Sequence, residues 1–98
     1  MAKTKISAVI NTWNEAENIE ECLKCLSFCD EIIVVDMESS DDTVELAKNY
    51  TDKIFHHEAI GYVEPARNFA IKKATSDWIL IVDADERISK SLAVKLIK

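Results

Sequence analysis

Three apolar runs constrain this chain more than any other feature: Ile6–Ile10 (ISAVI), Ile32–Val35 (IIVV) and Trp78–Val82 (WILIV). A strand with one face in water alternates polar and apolar residues. A short, nearly unbroken and largely β-branched run belongs to a strand covered on both faces. Between the runs the period changes. Ile19, Cys22, Leu23 and Leu26 recur at helical spacing, as do Val44, Leu46 and Ala47 within residues 43–50, and Ala66, Phe69, Ala70 and Ala74 further on. Lys53–His56 reads as a weaker strand, and Ser89 opens a last helix through Leu92, Ala93, Leu96 and Ile97.

Strand and helix thus alternate four times, which predicts a parallel sheet with crossover helices on its faces. The expected class is α/β: a Rossmann-like parallel sheet of four strands alternating with helices. Spacing leaves the strand order open. Asn14 is expected to cap the first helix, with Glu17 as the capping-box acid. The stretch EAIGYVEP holds the only Gly and the only Pro, so it reads as a loop, with Pro65 opening the third helix. With no repeat or low-complexity linker in 98 residues, residues 1–98 are expected to form a single domain or part of one.

Composition removes several functions. A net charge of −6 without a basic stripe argues against nucleic acid and anionic membrane surfaces as partners. No apolar run is long enough to span a bilayer, and MAKTKISAVI lacks the core of a signal peptide. A cytoplasmic location is therefore expected, at the inner face of the membrane in the full-length protein. Cys22, Cys25 and Cys29 are an odd, crowded set, so packing is expected rather than a disulfide, zinc or redox role.

The chemistry is expected where parallel sheets bind ligands, outside the carboxyl ends of their strands. Three polar clusters fall there: NTWNE after the first strand, Asp36 with MESSDD after the second, and DADE after the fourth. The alternative is incidental caps and solvated loops. One glycine excludes both the dinucleotide fingerprint and the phosphate-binding P-loop. A phosphate held here would need another source of positive charge. Asp83 and Asp85 could supply it by holding Mn²⁺ or Mg²⁺, which bind through one or two carboxylates plus ligand phosphates at ~2.1 Å. The same acids could instead be splayed into solvent. Trp13 is read as rim packing or a base-stacking platform, Trp78 as core or rim, and His56–His57 as a strand end. Lys72–Lys73 is read as a solvated helix face, and Tyr62 is left open.

The segments ISAVINTWNEAENIEECLKCL, DEIIVVDMESSDDTVELAKNY and GYVEPARNFAIKKATSDWILIVDADERIS together resemble the nucleotide-binding half of GT-A-fold, family 2 inverting glycosyltransferases. The resemblance is closest to members acting on lipopolysaccharide-core or related bacterial glycans. Asn11 and Trp13 stand where the family usually has Pro and Tyr, and Asp41–Asp42 where it commonly has Gly and one acid. The resemblance implies a donor, a UDP-sugar or similar nucleotide-diphosphate sugar, and a glycan or lipid acceptor. It places Thr12, Asn14 and Glu15 in the nucleotide pocket, Asp36 on the base or ribose, and Asp41 in the adjoining loop. Arg67 and Asn68 match residues facing the nucleotide and its phosphates, and Asp83 and Asp85 match the D-x-D motif holding Mn²⁺ or Mg²⁺. Family members are usually more than twice this long, and their later half carries the acceptor pocket and general base. The chain therefore reads as a donor-binding half lacking the base, with Glu86 a weak substitute.

Three other readings compete with this one. One is a nucleotide-binding module without catalysis. Another is a haloacid-dehalogenase-like phosphatase, whose D-x-D would sit on the first strand. The third is a receiver domain, which needs an acidic pair where Asn11 and Thr12 stand. A donor half alone would expose apolar surface, so homodimerisation is expected. Sedimentation should show mass rising with concentration; a strict monomer at high concentration would refute it.

Overall fold

The computed structural model describes residues 5–58 and 71–87. Within them, β1 (Ile6–Thr12), α1 (Ile19–Lys24), β2 (Glu31–Asp36), α2 (Thr43–Ala47), β3 (Ile54–His56) and β4 (Trp78–Asp83) follow in chain order. The strands form one sheet in the order β3-β2-β1-β4, and every pairing is parallel. The parallel α/β class expected from the alternation is what forms, and the strand order is now defined.

Paired residues in a parallel sheet point to the same face. Ala8, Ile10, Val34 and Val82 share one face and pack on Ile19, Cys22 and Leu23 of α1, on Leu26 and on Ala47 of α2. Val9, Ile33 and Val35 share the other, joined by Met37, Phe55, Ile71 and Ala74. β1 and β2 are therefore covered on both sides, as their unbroken apolar runs require. Ile10 has no exposed surface, so truncating it to Ala would cost about 2–5 kcal/mol. β4 departs from expectation. Trp78 is 65% exposed, and Ile79 and Ile81 are 39% and 44% exposed. Among the described residues it pairs on one side only, with β1.

The first helix starts later than expected. Asn14 has φ 51°, a left-handed conformation unlike the extended backbone of an N-cap. Asn18 takes the N-cap position without a side-chain capping bond. Glu20 and Glu21 in the first turn and Lys24 in the last suit the helix dipole. The second helix ends at Ala47, and the chain tightens into turns in which Asn49 and Tyr50 N–H donate to Leu46 and Ala47 carbonyls. Residues 71–73 are helical, with Ala74 just beyond them; Ala66, Phe69, Ala70, Tyr62 and the last helix lie outside the described residues. Lys73 sits over the Phe55 ring at 5.3 Å rather than only in solvent. The three cysteines are free. Cys25 caps α1, and burial pushes the Cys22 thiol up to about 12 and that of Cys29 to about 11, so both stay protonated.

The amino edge of the sheet is tied by one buried acid, Glu31. Its carboxylate accepts from the Ser7 hydroxyl at 2.7 Å and the Thr75 N–H at 3.0 Å, and pairs with Lys53. These bonds join β1, β2 and the segments leading into β3 and β4. Burial alone would raise the Glu31 pKa. The bonds from Lys53, Ser7 and Thr75 outweigh it and hold the carboxyl at about 2. A folded pKa below the unfolded value of ~4.3 stabilises the native state above that value, and the contribution is lost as pH falls toward 2. Glu31→Gln should lower stability by about 2 kcal/mol at neutral pH and flatten its fall between about pH 4.5 and 2. Urea denaturation across that range measures both.

Candidate functional site

The register brings three strand ends together. Thr12 pairs with Asp36 across β1 and β2, and Asn11 pairs with Asp83 across β1 and β4. The three polar clusters thus flank one another at the carboxyl edge. Thr12 and Asp36 are both buried, and the Thr12 hydroxyl donates to Asp36 Oδ1 at 2.7 Å. Asp36 also accepts from the Ser39 hydroxyl on Oδ1 at 2.5 Å and from the Ser39 N–H on Oδ2 at 2.9 Å. The Met37 N–H donates to the Thr12 carbonyl at 2.8 Å. The acid therefore shapes the loop after β2 as it leaves the sheet.

That loop closes onto the one after β1. The Asn14 N–H donates to Ser39 Oγ at 2.8 Å, and Asn14 Oδ1 accepts from the Ser40 N–H at 2.7 Å. The Glu15 N–H donates to Thr43 Oγ1 at 2.8 Å, and the Ala16 N–H to Asp41 Oδ2 at 3.1 Å. Asp41 Oδ1 accepts from the Thr43 N–H at 3.0 Å and from its hydroxyl. These bonds explain why Asn14 is left-handed: asparagine tolerates that region and its side chain bridges to Ser40. Glu38 is left-handed too, at φ 60°, a conformation costing about 1–2 kcal/mol for an ordinary side chain. Thr12, Asn14, Glu15, Asp36 and Asp41 are brought into one neighbourhood. Arg67 and Asn68 lie outside the described residues.

β4 delivers Asp83 and Asp85 to the same edge. The strand ends at Asp83, and both aspartates are exposed around the buried Ala84. Glu86 closes the turn: its Oε1 accepts from the Asp83 N–H at 2.7 Å, and its own N–H donates to the Asp83 carbonyl at 2.9 Å. The carboxylate considered as a base is thus engaged in the turn. The two loops and the turn share a field. Burial raises the Glu15 pKa, Asp85 raises it further, a bond from Asn18 opposes, and Asp41 and Asp83 add to the rise.

The donor set fits a hard divalent cation. It consists of carboxylate oxygens, and among the described residues no three His, Cys, Asp or Glu side chains form a complete cage. Two carboxylates completed by ligand phosphates is the arrangement Mg²⁺ favours and Mn²⁺ accepts. A cleft of about 580 Å³ lies instead at the amino edge, lined by Glu31, Tyr50 and Lys53 among others, away from these acids. Sequence reasoning missed Asn18, Ser39, Thr43 and Arg87. Ser39 lies in the MESSDD cluster and Thr43 directly after it, but nothing in that cluster singles either out; Asn18 and Arg87 carry no signal.

Acid crowding at this edge has a measurable consequence. Asp85→Asn should bring the Glu15 pKa back toward its ordinary value, and Mg²⁺ should do the same in the parent by neutralising the field. A carboxyl-detected NMR pH titration reads both shifts; no movement in either would refute the shared field.

The chain matches the model of glycosyl transferase family 2 over residues 7–98. It is 45% identical over 89 residues to an uncharacterized glycosyltransferase of Rickettsia felis, covering 90% of this chain and 31% of that protein. It is 33% identical over 95 residues to the lipopolysaccharide core biosynthesis glycosyltransferase LpsC of Rhizobium meliloti, covering 92% and 35%. Among solved structures it resembles S. aureus TarS 1–349 in complex with UDP-GlcNAc, with TM-score 0.76, 30% identity, and 95% and 30% of the chains covered. It also resembles glucosyl-3-phosphoglycerate synthase of Mycobacterium tuberculosis with Mn²⁺, UDP and glucosyl-3-phosphoglycerate, with TM-score 0.66, 25% identity, and 86% and 36% covered. The chain spans about a third of the length of these relatives. With a parallel sheet of the GT-A nucleotide-binding type and a family match over nearly its whole length, the chain belongs to glycosyl transferase family 2.

Proposed function

We propose that this chain binds the nucleotide-diphosphate-sugar donor of an inverting glycosyltransferase. The observation that carries the reading is the convergence of the β1 loop, the β2 loop and the D-x-D turn on one sheet edge. Thr12, Asn14 and Glu15 line the nucleotide pocket, and Asp41 holds the neighbouring loop in shape. Asp36 braces the pocket floor through Thr12 and Ser39, and its remaining lone pairs would accept a base or ribose donor. Arg67 and Asn68, outside the described residues, would meet the phosphates if the family pattern holds for this chain. Asp83 and Asp85 would hold Mn²⁺ or Mg²⁺ against the diphosphate. When bound there, such a cation neutralises charge developing on the nucleoside diphosphate as it leaves the sugar.

Two relatives support the donor class: TarS was crystallised with UDP-GlcNAc, and the mycobacterial synthase with UDP and Mn²⁺. The relative named for lipopolysaccharide core biosynthesis supports a glycan or lipid acceptor of the cell envelope. No helix among the described residues is long and apolar enough to cross a membrane. We place the protein in the cytoplasm, at the inner membrane face. The exposed Trp78, Ile79 and Ile81 favour homodimerisation through β4.

Calorimetric titration with UDP tests the reading. Binding should tighten with Mn²⁺ or Mg²⁺, and the metal-dependent affinity should weaken by about 10-fold or more in Asp83→Asn and Asp85→Asn, as when a metal-site group is lost. UDP uptake that ignores both the metal and the substitutions would overturn it.

A further inference from the structure

We propose that Arg87 and Glu86 are positioning residues that set the spacing of Asp83 and Asp85 and lock their turn to the loop after β1. The proposal rests on the donor-site reading above and adds residues outside the D-x-D pair.

Two carboxylates one residue apart repel, and an unrestrained turn would relax by spreading them. This turn is restrained from several directions. Glu86 closes it on itself through the two bonds to Asp83. Arg87 then straps it from outside: Nη1 donates to the carbonyls of Ala84 and Glu86, each at 2.9 Å, and Nη2 donates to Asn18 Oδ1 at 3.2 Å. Beneath, Ala84 is 2% exposed in the core cluster that contains Cys22, whose thiol lies 3.7 Å from the Asp83 carbonyl. The backbone between the two aspartates is thus held from below by the core and from above by the guanidinium.

The choice of side chain follows from these acceptors. Three oxygens in different directions suit a planar fork with five N–H groups; a lysine ammonium cannot reproduce that geometry. The strap also reaches across the site. Asn18 receives Arg87, and its N–H donates to the Glu15 carbonyl at 3.0 Å, so one chain of contacts runs from the aspartate turn into the pocket loop. Residues 18 and 87 are 69 positions apart in sequence, so the strap ties β4 to the start of α1.

The test uses Arg87→Ala, Arg87→Lys, Glu86→Ala and Glu86→Gln beside the parent, with two readouts. In the protein without metal or nucleotide, amide exchange at Asp83 and Glu86, followed by NMR, should quicken in Arg87→Ala and Glu86→Ala. With MnCl₂, UDP affinity should fall about 10–100-fold in Arg87→Ala, the range for residues that orient a metal's ligands. Metal-free UDP affinity should hold. Arg87→Lys should recover little, because charge alone does not restore the fork. Glu86→Gln should stay close to the parent in both readouts, because its amide oxygen still accepts from Asp83; a proton-transfer role would not survive that change. Unaltered exchange and Mn²⁺-dependent affinity in Arg87→Ala would overturn the proposal, as would an equal loss with and without metal. If Arg87→Ala does not fold, Arg87→Lys and the Glu86 pair decide by the same readouts. Should the parent bind no UDP with Mn²⁺, the donor-site reading fails, and the exchange rates alone decide whether Arg87 holds the turn.

Discussion

The buried hydrogen bond between Thr12 and Asp36 is the contact on which the carboxyl edge of this protein depends. Asp36 sits at 2% exposure, where an unpaired carboxylate would be costly. Donors from Thr12 and Ser39 offset that cost. In doing so they dictate how two central strands end. The loop after β2 must fold back over Asp36 to bring Ser39 within reach. There the Ser39 hydroxyl accepts from the Asn14 N–H, and the two loops close together. One acid at a strand end thus converts two chain exits into a single shaped surface.

The two edges of the sheet treat negative charge in opposite ways. At the amino edge Glu31 is paired with Lys53 and bonded to Ser7 and Thr75, so its charge stabilises the fold. At the carboxyl edge burial raises the Glu15 pKa, and Asp85, Asp41 and Asp83 add to the rise. A structure selected for stability alone would not gather like charges in this way. Local rules are broken at the carboxyl edge, and the satisfied network at the other edge supports the sheet that carries the cost. The turn of residues 83–87 shows the same division within five residues: Ala84 is in the core while Asp83 and Asp85 face outward.

Much of this architecture was legible in the chain. Unbroken β-branched runs identify strands buried on both faces, and β1 and β2 are such strands; helical spacing between them implies crossovers and hence parallel pairing. Polar clusters at three strand ends are legible too, and the register sets them side by side at the carboxyl edge. The first helix misled for a definite reason. Asn14 and Glu17 match a capping box, but tertiary bonds to Ser39 and Ser40 capture Asn14 and hold it left-handed, so the helix begins at Ile19. β4 misled because an apolar run looks the same in a strand paired on both sides and in one that, among the described residues, pairs on one side only.

The sequence by itself determined the class of fold, the strands of the sheet and the residue types available at its carboxyl ends, because periodicity and strand-end composition are local properties. Tertiary structure alone decided the order β3-β2-β1-β4 and, with it, which side chains meet. Crossovers of similar length can place a strand on either side of its predecessor, so spacing carries no record of the choice. Once β1 lies between β2 and β4, Thr12 faces Asp36, Asn11 lies beside Asp83, and Arg87 reaches Asn18. Those meetings, between residues 24 to 72 positions apart, are what bring scattered acids to one edge.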